Sequence, residues 1–217
     1  MSTIVKICGL NDAAAVDAAV AAGAAYLGFI IFPRSPRALT PAAAGALAAR
    51  KGPARSVAVL VDPDDALLGE VLVRMKPDII QLHGDESPAR CQDVRSYVGE
   101  GVWKALGVSD RADLDRAARW RGAVDGFVFD AKPPAGADRP GGLGIGWDYA
   151  LLNGFDAGAP WLLAGGLTVD SVADAIRQSG ARGVDVVSGV ESAPGVKDIA
   201  KIEAFIAAAR SARPLAP

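Results

Sequence analysis

Short apolar runs recur along this chain from end to end, and each is followed by a segment that reads as a helix. The runs are Ile4–Cys8, Tyr26–Ile31, Ser56–Val61, Asp78–Leu82, Val102–Leu106, Gly126–Asp130, Trp161–Ala164 and Gly183–Ser188. Apolar strands without a regular polar face are buried on both sides, the condition of a parallel sheet covered by helices. The helical segments are Asp12–Ala22, Pro41–Arg50, Asp64–Met75, Ser87–Val98, Asp110–Trp120, a short piece near Trp147–Leu152, Thr168–Gln178 and Asp198–Arg210. Several open on Asp, Ser or Thr, which cap helix N-termini, and end near glycine. Eight such pairs with no break in composition predict an α/β fold, a single-domain (β/α)8 TIM barrel over residues 1–217. An open doubly wound sheet is the alternative. Against it, the first strand leads into Gly9-Leu10-Asn11-Asp12, which lacks a glycine-rich dinucleotide fingerprint.

Charge narrows the class of partner. The chain has 23 basic and 25 acidic side chains and no lysine or arginine run, so no nucleic-acid surface is expected and the partner is a small molecule. Its longest uncharged stretch, Ala18 to Phe32, is shorter than the roughly 20 residues that span a bilayer, and no membrane association is expected. The N-terminal residues lack the charged start and apolar core of a signal peptide. Two cysteines, Cys8 and Cys91, cannot form a disulfide framework, which points to a reducing cytoplasmic compartment.

Phosphate binding is expected near the C-terminus. Trp161-Leu162-Leu163-Ala164 runs into Gly165-Gly166 and a helix opening at Thr168, with Asp170 in its first turn. Glycines let a backbone approach a ligand, and the free N–H groups at a helix start attract an anion. Ser188-Gly189-Val190 repeats the arrangement at the end of the eighth run, and adjacent grips of this kind fit the phosphate site after strands seven and eight of a barrel. Two irregular stretches, Phe32 to Thr40 and Ala131 to Gly146, read as functional loops over a site.

In a barrel the catalytic groups sit at strand C-termini, so the polar residues that close apolar strands are the candidates. They are Cys8, Gln81, His83, Asp130 and Ser188. A free cysteine is most often a small buried hydrophobe. Lys6, two residues before Cys8 and on the same side of the strand, favours its thiolate. Cys91 has no such neighbour and reads as structural. Asp130 would be costly if buried unpaired, and Lys132-Pro133-Pro134 make it a poor helix cap, so it is free to act as a general acid. His83, the only histidine, reads equally as a hydrogen-bonded strand end or a catalytic group; alone, it argues against a metal site. Gln81 shares its face and suits a substrate hydroxyl. Arg34 reads as a solvated charge. Arg37 reads as a charge of the same kind or as the partner of a substrate carboxylate.

With these residues assembled, the chain resembles the phosphoribosylanthranilate isomerases of tryptophan biosynthesis over nearly its whole length. The resemblance rests on Val5-Lys6-Ile7-Cys8-Gly9, Leu27-Gly28-Phe29 with Phe32-Pro33 and Ser35-Pro36-Arg37, and Gln81-Leu82-His83-Gly84. It continues through Asp130, Gly141-Gly142 with Gly144 before Trp147-Asp148, Leu163-Ala164-Gly165-Gly166-Leu167, Gly183-Val184-Asp185-Val186 and Ser188-Gly189-Val190-Glu191. It closes on Pro194-Gly195 followed by Lys197-Asp198. The resemblance implies an Amadori rearrangement of a phosphorylated substrate without metal or cofactor, in a monomer or homodimer. By similarity, Asp130 is the acid that protonates the ribose ring oxygen and Cys8 the base that removes the C2 proton. Arg37 meets the anthranilate carboxylate, and the glycine turns with Gly142, Gly144, Gly165, Gly166 and Gly189 hold the phosphate. Leu143 and Val187 stand where the family usually carries hydroxyl residues, so backbone N–H groups are expected to carry those phosphate contacts. Other barrel enzymes of phosphorylated sugars use two aspartates or histidine-rich metal sites instead. A non-catalytic sugar-phosphate binder need not keep Cys8 and Asp130 together.

Overall fold

A computed structural model describes residues 2–212; residue 1 and residues 213–217 of the expected domain lie outside the described residues. Eight parallel strands close into a barrel, as the sequence predicts: β1 (Ile4–Cys8), β2 (Tyr26–Ile30), β3 (Arg55–Leu60), β4 (Ile79–Leu82), β5 (Val102–Val108), β6 (Gly126–Ala131), β7 (Trp161–Leu163) and β8 (Gly183–Val186). Helices α1 (Ala13–Ala21), α2 (Pro41–Ala48), α3 (Asp65–Arg74), α4 (Pro88–Arg95), α5 (Arg111–Asp115), α6 (Val172–Ser179) and α7 (Ile199–Ser211) accompany the strands. Asp12, Thr40, Asp64, Ser87, Asp110 and Asp198 each accept a backbone N–H of the helix they precede. Each such cap contributes about 0.5–2 kcal/mol.

Alternation along the strands sorts the side chains into two apolar layers. Ile7, Leu27, Phe29, Phe127 and Phe129 pack outward in the large cluster that includes the helices. Val57, Val59, Ile79, Trp103, Val128 and Leu162 fill the barrel with Cys8 above them. A charged pair joins this interior where the barrel closes. Lys6 of β1 stands opposite Asp185 of β8 in register, and its ammonium lies 2.9 Å from the carboxylate, with both side chains all but inaccessible.

The structure departs from expectation at several element ends. The helix expected from Thr168 begins at Val172, because the Thr168 and Ser171 hydroxyls each accept the other's backbone N–H and close a separate turn. The segment Asp110–Trp120 divides into α5 and a 3-10 turn, Arg116–Trp120. Near Trp147 only Tyr149–Leu152 is helical, since the Trp147 indole donates at 2.9 Å to the Ala164 carbonyl and is held at the barrel mouth. Strand β8 stops at Val186, where Val187 turns to φ −120° and ψ −81°, so Ser188 opens a 3-10 turn instead of ending a strand. A hairpin that the sequence reading missed follows, formed by β9 (Glu191–Ala193) and β10 (Val196–Lys197).

Candidate active site

The C-terminal mouth of the barrel holds a cleft, and every candidate residue except Gly189 lines it. Cys8 contributes from β1, Gln81 from β4, Asp130 from β6 and Arg37 from the loop after β2. His83 follows the end of β4, and Gly142, Gly144, Gly165, Gly166 and Ser188 come from the loops after β6, β7 and β8. Arg34 is exposed outside the cleft, and Cys91 is buried among helix side chains.

Burial dominates the acid–base chemistry of the mouth. It pushes the Asp130 carboxyl up to about 7; a 2.8 Å hydrogen bond from the Ala131 N–H offsets part of the effect, and the Asp185 charge adds to it. Asp130 is thus a carboxylic acid that still holds a proton near neutrality. Burial also pushes the Cys8 thiol above its ordinary value; Lys6 and Lys197 pull it down, while Asp185 pushes it up. The expected help from Lys6 is therefore present but outweighed, because Lys6 is matched by Asp185 and the sulfur is dry. Burial, with the positive charges of Lys104 and Lys6, holds His83 down at about 3, so its imidazole is neutral. Its Nε2 lies 3.7 Å from Asp130 Oδ2, too far for a hydrogen bond.

Two buried oxygens in the cleft have no protein donor among the described residues: Gln81 Oε1 and Asp185 Oδ1. Buried acceptors are nearly always paired, and leaving one unpaired costs about 1–3 kcal/mol. Each is therefore open to a donor that the described residues do not supply. Asp185 was not among the residues singled out from sequence. The signal was available in its alternation within β8 and in the need of buried Lys6 for a partner.

At the other end of the cleft, Gly165 and Gly166 adopt φ of +87° and +65°, where a side chain is strained. The Tyr149 hydroxyl donates at 2.6 Å to the Gly165 carbonyl and fixes the turn. The N–H groups of Gly144, Gly165 and Gly166 donate to no main-chain acceptor among the described residues and remain available to an anion. Gly189 lies behind this surface: a Cβ there would run into the Leu167 carbonyl, so its first requirement is steric.

Arg37 is buried, and its fork is already engaged. Nε and Nη2 donate at 2.6 and 2.7 Å to the two carboxylate oxygens of Glu191. Lys197 donates at 3.1 Å to the same carboxylate and at 2.7 Å to the Val187 carbonyl. Burial alone would raise the Glu191 carboxyl, but the Arg37 hydrogen bond and the Lys197 charge outweigh it and hold it below the ordinary carboxylate value. Glu191 and Lys197 belong to the hairpin that was not foreseen, and nothing in the spacing of residues 37 and 191 announces their pairing.

Among the described residues no group of three or more His, Cys, Asp or Glu side chains is placed to hold a metal ion, and no helix is long and apolar enough to cross a membrane. The family model for N-(5'phosphoribosyl)anthranilate (PRA) isomerase matches residues 5–208. The chain is 50% identical to N-(5'-phosphoribosyl)anthranilate isomerase of Rhizobium meliloti, over 98% of this chain and 99% of the relative. Its identity to the protein of that name from Paramagnetospirillum magneticum is 51%, over 99% of this chain and 100% of the relative. The crystal structure of phosphoribosyl anthranilate isomerase from Thermotoga maritima superposes with a TM-score of 0.86 at 32% identity, covering 95% of this chain and 98% of that one. A solved isomerase in complex with reduced 1-(o-carboxyphenylamino)-1-deoxyribulose 5-phosphate gives a TM-score of 0.83 at 30% identity, covering 95% and 98% of the two chains.

Proposed function

Because the chain belongs to the N-(5'-phosphoribosyl)anthranilate isomerase family, we propose that Cys8 and Asp130 are the base and the acid of its Amadori rearrangement. The reaction opens the ribose of N-(5'-phosphoribosyl)anthranilate and yields 1-(2-carboxyphenylamino)-1-deoxyribulose 5-phosphate in tryptophan biosynthesis. The observation that carries the assignment is a carboxyl group with its pKa near 7 and a thiol flanked by two lysines, on strands β6 and β1 of one cleft. Asp130 donates its proton to the ring oxygen as the C1–O bond breaks, and the nitrogen lone pair forms the iminium. Cys8 thiolate then takes the C2 proton, and those electrons neutralise the iminium to give the enolamine, which tautomerises to the ketone. Lys6 and Lys197 support the negative sulfur during the reaction.

The remaining site residues bind. Gln81 Oε1 and Asp185 Oδ1 accept from the sugar hydroxyls, which gives both orphaned oxygens a donor. Neutral His83 stands beside the acid as a substrate contact. The N–H groups of the turns with Gly142, Gly144, Gly165 and Gly166 and the Ser188 hydroxyl hold the phosphate, Gly189 lets the turn behind them pack against Leu167, and Arg37 takes the anthranilate carboxylate. The enzyme works as one barrel domain, without metal or cofactor, as a monomer or homodimer in the cytoplasm. Free Cys8 and Cys91 fit that reducing compartment. Incubation of the purified protein with phosphoribosylanthranilate should extinguish the anthranilate-type fluorescence. Persistent fluorescence would rule out the reaction, and undiminished turnover in Cys8→Ala or Asp130→Asn would rule out the assigned pair.

A further inference from the structure

The buried cluster behind Arg37 contains two cations and one anion: Arg37 and Lys197 share Glu191. It therefore leaves one positive charge unmatched at the wall of the cleft. The geometry of the guanidinium shows where that charge is presented. Nε and Nη2 are committed to Glu191, and Nη2 also approaches the Gly142 carbonyl at 3.5 Å. Nη1 has no protein acceptor among the described residues, and it sits where the loop after β6 passes, 3.0 Å from the position a Cβ would take on Gly142. Glu191 is itself held firmly. Its hairpin partner in register is Lys197, and its own backbone carbonyl accepts from Lys201 at 2.8 Å.

We propose that Glu191 is a positioning residue for specificity: it fixes the Arg37 fork so that only Nη1 faces the ligand, and thereby selects substrates with a carboxylate on the aromatic ring. An arginine free to turn would present two parallel donors to any anion, the substrate phosphate included. With two of its nitrogens held, the guanidinium offers one edge at one place, and an aryl group without the carboxylate leaves the residual charge of the cluster uncompensated. This reading rests on the assignment of Arg37 to the anthranilate carboxylate, and it adds a reason why the pairing is directional.

The test compares two substrates on the same enzyme, N-(5'-phosphoribosyl)anthranilate and its N-(5'-phosphoribosyl)aniline counterpart, which lacks the carboxylate. The ratio of their kcat/KM values does not depend on how much of a preparation is folded, so a variant that folds poorly still gives a valid reading. Arg37→Ala should lower the ratio by about tenfold or more, as expected for a lost charge-assisted hydrogen bond. Glu191→Gln keeps the size of the side chain but loses its charge and one of its two acceptor positions. It should lower the ratio by about tenfold, chiefly through KM for the carboxylated substrate. A lowered ratio in Arg37→Ala with an unchanged ratio in Glu191→Gln would overturn the positioning role and leave the Arg37 contact standing. An unchanged ratio in Arg37→Ala would overturn the carboxylate contact and the positioning role together.

Discussion

Asp130 and Cys8 owe their shifted pKa values to the same dryness, and under the proposed acid and base roles this sets the pH behaviour. Asp130 lies at about 7 and the Cys8 thiol above its ordinary value, so between those points the dominant form has an ionised Asp130 and a neutral thiol. The reactive form is its proton isomer, with the proton on Asp130 and the sulfur ionised. kcat/KM should therefore rise through about pH 7, as Asp130 in the dominant form ionises, and fall where the thiol does. A profile that rises near pH 4 would contradict the raised carboxyl. Cys8→Ala and Asp130→Asn should each lower kcat by about 100- to 10,000-fold, measured under single-turnover conditions. The same shift has a consequence for stability. An unfolded aspartate ionises near 4 while folded Asp130 keeps its proton to about 7, so folding retains a proton and stability falls as pH rises across that interval. Asp130→Asn should then be about 2–4 kcal/mol more stable than the parent at pH 8 and equal to it at pH 4. Urea unfolding at the two pH values measures this, and the same difference at both would refute it. At this scale the place of Cys8, Asp130, Gly142, Gly144, Gly165 and Gly166 at the cleft was legible because each closes or follows an apolar strand. Glu191, Lys197 and Asp185 were not singled out, because their meaning lies in charge pairing with partners that are 154 and 179 residues away or across a hairpin.

Elements were legible in proportion to their dryness. A strand covered on both faces must be apolar at nearly every position, so all eight barrel strands could be read. The hairpin Glu191–Lys197 escaped because Ser192-Ala193-Pro194-Gly195 is mostly exposed and carries no alternation to betray a strand. The start of α6 was misplaced because two hydroxyls, Thr168 and Ser171, form a turn of their own ahead of it. These two residues act as one unit. Thr168→Ala and Ser171→Ala should each cost about 0.5–2 kcal/mol, and the double variant little more than either alone. Thermal melts of the three proteins check this, and additive losses would show that the hydroxyls work separately. The steric role of Gly189 also changes how its substitution is to be read, since Gly189→Ala moves the Leu167 backbone before any phosphate is involved.

For the molecule as a whole, the seam between β1 and β8 is the decisive contact, and Lys6–Asp185 is its ion pair. Lys6→Met should destabilise the protein by about 3–5 kcal/mol, because it strands a buried carboxylate. Lys6→Met with Asp185→Leu should recover most of that loss, and a double variant no more stable than the single would refute the pairing argument. Catalysis should not return with stability, since the double variant also lacks the lysine and the acceptor beside Cys8. The closing of the barrel also has a consequence in time. Asp185 follows Lys6 by 179 residues, a delay of roughly 10–35 s at ordinary rates of synthesis. Glu191 and Lys197 emerge later still. The growing chain thus carries the proposed base long before the groups that place and charge it exist, and the cleft is completed only when β8 and the hairpin after it have been made.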